Sequence, residues 1–216
     1  MNEETIIGPE WAALFEEWLQ RHTTGDAAHD LQHIRRVVAN ARRLCVAEHA
    51  DWTVVMPAAW LHDCVIVPKS SPDRSRASQM AAEQAVKWLD ENDWPHDNLP
   101  AIAHAIEAHS FSAGIPARTL EAKVVQDADR LDALGAIGLA RTLMLGATMQ
   151  RELYHPEDPF AEAREPDDGI YTIDHLYCKL LKLQSTMQTQ AGANEAMQRT
   201  LYLEDFLTQL RQEISS

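Results

Sequence analysis

With 33 acidic against 19 basic side chains in 216 residues, a formal net charge of −14, the chain is not built to neutralise nucleic-acid phosphates or an anionic bilayer surface. Its length suits one well-cored domain, or one with an appended helical part, and is too short for two large ones. Cys45, Cys64 and Cys178 form no CxxC pair, so neither a disulfide framework nor a thiolate zinc site is expected, and a reducing compartment fits.

The acidic start Met1-Asn2-Glu3-Glu4 lacks the basic and apolar regions of a signal peptide, and no stretch reaches the ~18 apolar residues of a membrane helix. A cytoplasmic protein is expected. Trp11, Leu14, Phe15, Trp18 and Leu19 recur at helical spacing and predict an amphipathic helix over 9–21. A second helix is predicted from about His29 or Asp30 to His49, with Ile34, Val37, Val38, Ala41, Leu44 and Cys45 inward and His33 at the edge of that stripe. Asp51 caps a third, from Trp52 to Cys64. Residues 69–78 form a polar loop with Lys69, Arg74 and Arg76 against Asp73; it is either a solvated loop or a phosphate-binding one. Helices follow over about 78–92, 99–110, 120–134 and 135–146. In the second of these His109 shares a face with Ile102 and Ile106, whereas His104 points off it toward solvent. In the third, Asp127 has Lys123 and Arg130 at ion-pair offsets and reads as a surface residue; Asp129 has no such neighbour and needs a partner from elsewhere, as, more weakly, does Asp132. Residues 154–174 contain three prolines and form a long acidic loop, a lid or a loose surface segment. Helices over about 175–189 and 194–214 close the chain, and the fold class is all-α.

The adjacent pair His62-Asp63 ends an otherwise apolar run. Burying two such groups unpaired costs several kcal/mol, roughly 2–7 for a polar group and more for a charge, so a compensating cation is the natural reading. His33, His62, Asp63 and Asp129 all face inward from separate segments, the doublet aside. Two imidazoles and two carboxylates suit one divalent ion of intermediate hardness: Mn²⁺, Fe²⁺, Co²⁺, Ni²⁺ or Mg²⁺.

The order His, His-Asp, distant Asp resembles the signature of the HD superfamily of metal-dependent phosphohydrolases, closest to a branch of compact bacterial members. The likeness runs from the segment 28–37, which contains His29 and His33, through Leu61-His62-Asp63 and His109-Ser110-Phe111-Ser112 to Gln126-Asp127-Ala128-Asp129-Arg130-Leu131, and includes Lys179-Leu180-Leu181-Lys182-Leu183. The resemblance implies one HD-type domain over 1–216, with a metal-site core at about 22–146 and the 154–174 loop and carboxyl-terminal helices (175–214) as an appended part. It places His33, His62, Asp63 and Asp129 at the metal-ligand positions. His29 is either a further i, i+4 partner of His33 or a helix-start residue bonded to Asp26 or Asp30.

The implied activity is hydrolysis of a phosphoester or phosphoanhydride bond in a small nucleotide, a (deoxy)nucleoside triphosphate first. The alternatives are a cyclic or linear nucleotide phosphodiesterase and a non-hydrolytic nucleotide-binding helical sensor. A metal-dependent oxygenase on a related fold would need a second iron. His109 would move protons and Lys69, Arg74 and Arg76 would neutralise phosphate oxygens. Glu83 is either an acid/base or an exposed partner of Lys87. Lys179 and Lys182 either close over a polyphosphate or form a solvated face. A small-molecule nucleotide is the expected partner, with no nucleic acid and no membrane, and a homodimer stays open.

Overall fold

The computed structural model describes residues 9–22, 31–67, 71–110 and 113–214. His29 and Lys69 lie outside them. The described residues form helices and no strand, with a single isolated bridge between Glu152 and Tyr171. No single described helix is long and apolar enough to cross a membrane. Contacts divide the chain into two compact units, at Asp129 and Arg130.

The first unit contains α1 (Pro9–His22), α2 (Leu31–Glu48), α3 (Trp52–Leu61), α4 (Ala77–Glu91), α5 (Leu99–His109) and most of α6 (Leu120–Leu131). Its centre is α3, which is apolar on every side and buried from Val54 to Leu61. A helix without a polar face has to be surrounded, and α2, α4 and α5 pack against it. The Asp51 carboxylate accepts from the Thr53 N–H at 2.8 Å and caps its first turn. α1 adds an aromatic layer: Phe15 lies 6.0 Å from Trp60 and 5.3 Å from Trp88, and Trp11 lies 4.7 Å from the fully buried Trp94. Leu14, expected in the stripe, is exposed instead, because Phe15 and Leu19 one residue on take the inward face.

Two buried side-chain amides fix α6. Asn40 on α2 donates to the Ala128 carbonyl at 3.2 Å, and Gln126 donates to the Ala108 carbonyl of α5 at 2.6 Å. Asp127 is fully buried, which corrects its reading as an exposed ion-pair residue. It stands three residues after Val124 and four before Leu131, both of zero exposure, so it shares the inward face, and charge spacing alone misplaced it. Arg130 donates from Nη1 to the Thr186 carbonyl.

In the second unit α7 (Gly135–Thr148) packs against the last helix, α8 (Gln190–Ile214). Asp132, 1% exposed, pairs with Arg141 at 2.6 Å. The helix expected over 175–189 is a composite: a π-helical turn (Leu176–Leu180), one α turn (Leu181–Leu183) and a 3₁₀ turn (Gln184–Thr186). The 154–174 segment is knitted to itself. Buried Asp174 pairs with Arg164 through Oδ1–Nη2 at 2.8 Å, and the Asp167 N–H donates to its other oxygen at 2.6 Å. Asp158 accepts from the N–H groups of Glu162 and Ala163.

Candidate metal centre

α3 ends at Leu61, three residues before the expected end, so His62 and Asp63 occupy the turn that follows it. Side chains of adjacent helical residues diverge by about 100°. His62 keeps helical dihedrals as the C-cap (φ −55°, ψ −37°), and its Nε2 lies 3.6 Å from Asp63 Oδ2. His33, from the first turn of α2, reaches the same point: its Nε2 is 3.5 Å from Asp129 Oδ1 and 3.9 Å from Asp63 Oδ2. Asp129, near the end of α6, stands 3.9 Å from His62 Nε2. His109, the last residue of α5, brings Nε2 to 3.4 Å from Asp63 Oδ1. The three histidines are buried, while Asp63 and Asp129 keep 23% and 29% of their side-chain surface open. The cluster is therefore closed at its imidazole side and accessible at its carboxylate side.

The imidazoles are held in defined tautomers. His62 Nδ1 lies 2.9 Å from the Ala59 carbonyl, and His109 Nδ1 lies 2.6 Å from that of Ile106. A carbonyl can only accept, so each Nδ1 carries the proton and Nε2 faces the cluster, as in most metal-binding histidines. His62 Nε2 is buried and has no hydrogen-bond partner among the described residues. An orphaned buried nitrogen costs roughly 1–3 kcal/mol, and here it points among carboxylates. Burial holds His62 below the ordinary imidazole range, offset in part by Asp63 and Asp129, which favours the neutral, ligating form. Burial also opposes charging His109, but the hydrogen bond and charge of Asp63, with Asp129 and the Ile106 carbonyl, outweigh it and hold that imidazole above its ordinary value.

The donor set suits a bound cation. The ligand atoms of His33, His62 and Asp129 lie within 4.8 Å of one another, as do those of His62, Asp63 and His109. Donors about 2.1 Å from a shared first-row ion stand at most ~4.2 Å apart, and the pairwise distances above are 3.4–3.9 Å. The neighbouring Cys64 turns its thiol elsewhere, donating to the Ala81 carbonyl at 3.4 Å.

Beside the cluster is a small crevice of ≈30 Å³ lined by Asp63, Val65, Ile66, Arg74, Ala77, Ser78, His109 and Ser110. Arg74 is thus the predicted phosphate-binding residue that the structure puts next to the cluster, its Nη1 donating to the Val67 carbonyl at 2.9 Å. Arg76 is exposed, 3.9 Å from Asp73. Lys179 and Lys182 are exposed residues of the composite helix. Glu83 is exposed on α4 and lines a separate groove with Trp18, Lys87 and Trp88; Lys87 itself lies 3.9 Å from Glu91. His104, half-buried, accepts from the Arg118 N–H at 3.1 Å. Sequence reasoning passed over Asn40, Gln126 and Ser78; for Asn40 and Gln126 a polar residue at a core-spaced position was the available signal.

The HD-domain family model matches residues 30–134, a span that contains all five clustered residues. Over 95% of this chain and 98% of the other, the fold and sequence follow an HD-superfamily hydrolase from Bacillus thuringiensis, at 31% identity and a TM-score of 0.72. The chain belongs to the HD superfamily of hydrolases. It is also 31% identical over 202 residues to the Bacillus subtilis protein YpgQ, covering 91% of this chain and 90% of that one. The crystal structure of YpgQ in complex with ADP aligns over 94% of this HD protein and 95% of that chain, with 29% identity and a TM-score of 0.73.

Proposed function

We propose that this HD-superfamily hydrolase is a metal-dependent phosphohydrolase that cleaves a phosphoester or phosphoanhydride bond of a small nucleotide, with (deoxy)nucleoside triphosphates as the first substrate class. The observation that carries the reading is the orphaned His62 Nε2, buried and turned into a cluster with two half-open carboxylates. His33, His62, Asp63 and Asp129 would hold one divalent ion. When bound, that ion supplies charge to polarise a phosphoryl oxygen and lowers the pKa of a coordinated water toward ~7.

The remaining roles fall to the chain's own groups. His109, fixed at Nδ1 by the Ile106 carbonyl, holds a proton at Nε2 opposite Asp63 and can pass it to a departing oxygen. Arg74, beside Asp63 and His109, offers charge-assisted donors to phosphoryl oxygens. Asp63 and Asp129 are the open edge of the cluster, so substrate would approach from their side. That a relative binds ADP supports a nucleotide as the ligand class.

The test is a panel of nucleoside mono-, di- and triphosphates and cyclic nucleotides, with phosphate and pyrophosphate assayed separately. Pyrophosphate from triphosphates is expected to identify cleavage at the α-phosphate, and phosphate cleavage at a terminal one. Ring opening of cyclic nucleotides alone would make the protein a phosphodiesterase. Absence of any product from fully metal-loaded protein would contradict the proposal.

A further inference from the structure

Ser78 occupies the second position of α4, 3% exposed, and its hydroxyl has no hydrogen-bond partner among the described residues. It lines the ≈30 Å³ crevice together with Arg74, Asp63 and His109. That is room enough for an ordered oxygen atom, which needs about 10–15 Å³ of such space.

The surroundings favour an oxygen that carries negative charge. Arg74 has five N–H donors, and one is committed, to the Val67 carbonyl. The first turn of α4 reaches the crevice through Ala77 and Ser78; a 3₁₀ turn (Pro72–Arg76) leads into it, and the Ala77 N–H donates to the Arg74 carbonyl. Asp63 contributes the one carboxylate in the lining, and its Oδ1 faces His109 Nε2 at 3.4 Å.

We propose that the crevice seats one non-bridging phosphoryl oxygen of the substrate, which accepts from Ser78 Oγ–H and from the Arg74 guanidinium. Ser78 is then a binding residue that anchors the phosphoryl group beside the cluster. This rests on the phosphohydrolase reading above, and it assigns a role to a residue that the motif does not include.

Ser78→Ala tests it. Removing an unpartnered hydroxyl leaves no buried group stranded, so the melting temperature is expected to stay unchanged or rise, and the bound metal per chain to stay unchanged. In metal-loaded protein the affinity for inorganic phosphate, read from the phosphate-dependent rise in melting temperature, should weaken roughly five- to tenfold, the worth of one hydrogen bond. KM should rise by a similar factor with kcat within about twofold, the pattern of lost ground-state binding. Wild-type phosphate affinity and KM in the variant would overturn the proposal and leave the crevice as a water site. Because the phosphate titration needs no turnover, a failure of the hydrolase reading would be seen separately, as inactive wild-type protein whose phosphate binding still depends on Ser78.

Discussion

His62 shows how a single side chain can be committed at both ends. Its Nδ1–H is used by the Ala59 carbonyl, and its Nε2 is sealed from water without a hydrogen-bond partner among the described residues. His62→Ala should therefore weaken divalent-metal binding by at least ~10²-fold, beyond what loss of a supporting contact usually costs, and abolish turnover. Asp129→Asn should do the same, since Asp129 stands 3.5 Å from His33 Nε2 and 3.9 Å from His62 Nε2. Asp127→Asn is the control: with the side chain fully buried, the expected effect is a lower melting temperature and unchanged metal per folded chain. Calorimetric metal titration and melting curves on the three variants check this, and equal metal loss at Asp127 and Asp129 would refute the assignment. The two aspartates sit two residues apart on one helix. Charge neighbours at i−4 and i+3 suggested which was exposed and were wrong about it, because the inward face of α6 is decided by packing against two other segments through Asn40 and Gln126.

Among the elements, those with long apolar periodicity were legible. α1, α2, α4, α5 and α7 match their predicted spans to within two residues at nearly every end, since burial of a continuous stripe dominates there. What the pattern left out was decided by contacts distant in sequence. The mixed π, α and 3₁₀ turns over 176–186 carry a leucine spacing that periodicity reads as one regular helix. The 154–174 loop holds its shape through Arg164–Asp174, a pairing that composition cannot announce. The inward placement of His109 was readable from its spacing, that of His33 from its place at the edge of an apolar stripe, and that of His62 from the apolar run it ends; the orphaned Ser78 was not, because serine near a helix start is common. The loop's packing can be tested at Gly146 of α7, where an added Cβ would come within 2.3 Å of Thr172 Oγ1 and 2.5 Å of its Cγ2. Thr172 is buried, and its N–H donates to the Glu152 carbonyl at 2.8 Å, so it has little room to yield. Gly146→Ala should cost about 1–3 kcal/mol, as overpacked sites do, and lower the melting temperature by several degrees. A variant as stable as wild type would show that the loop gives way without strain.

At the scale of the molecule, an excess of 14 acidic charges surrounds a centre whose own donors are three imidazoles and two carboxylates. That balance suits a cation held within the protein and an anionic ligand met locally, at Arg74, and not a broad basic surface. The comparison with known proteins establishes an HD-superfamily hydrolase, and the geometry of the cluster argues for one ion in it, because its two donor triplets share His62 and are joined through Asp63. The most direct test is to strip the protein of metal, titrate back Mn²⁺, Co²⁺, Ni²⁺ or Mg²⁺, and follow bound metal and nucleotide hydrolysis in the same samples. The account predicts no turnover in stripped protein and activity that rises with occupancy and saturates at one ion per chain. Full activity without metal, or stoichiometric metal binding with no hydrolysis of any phosphate compound, would contradict it.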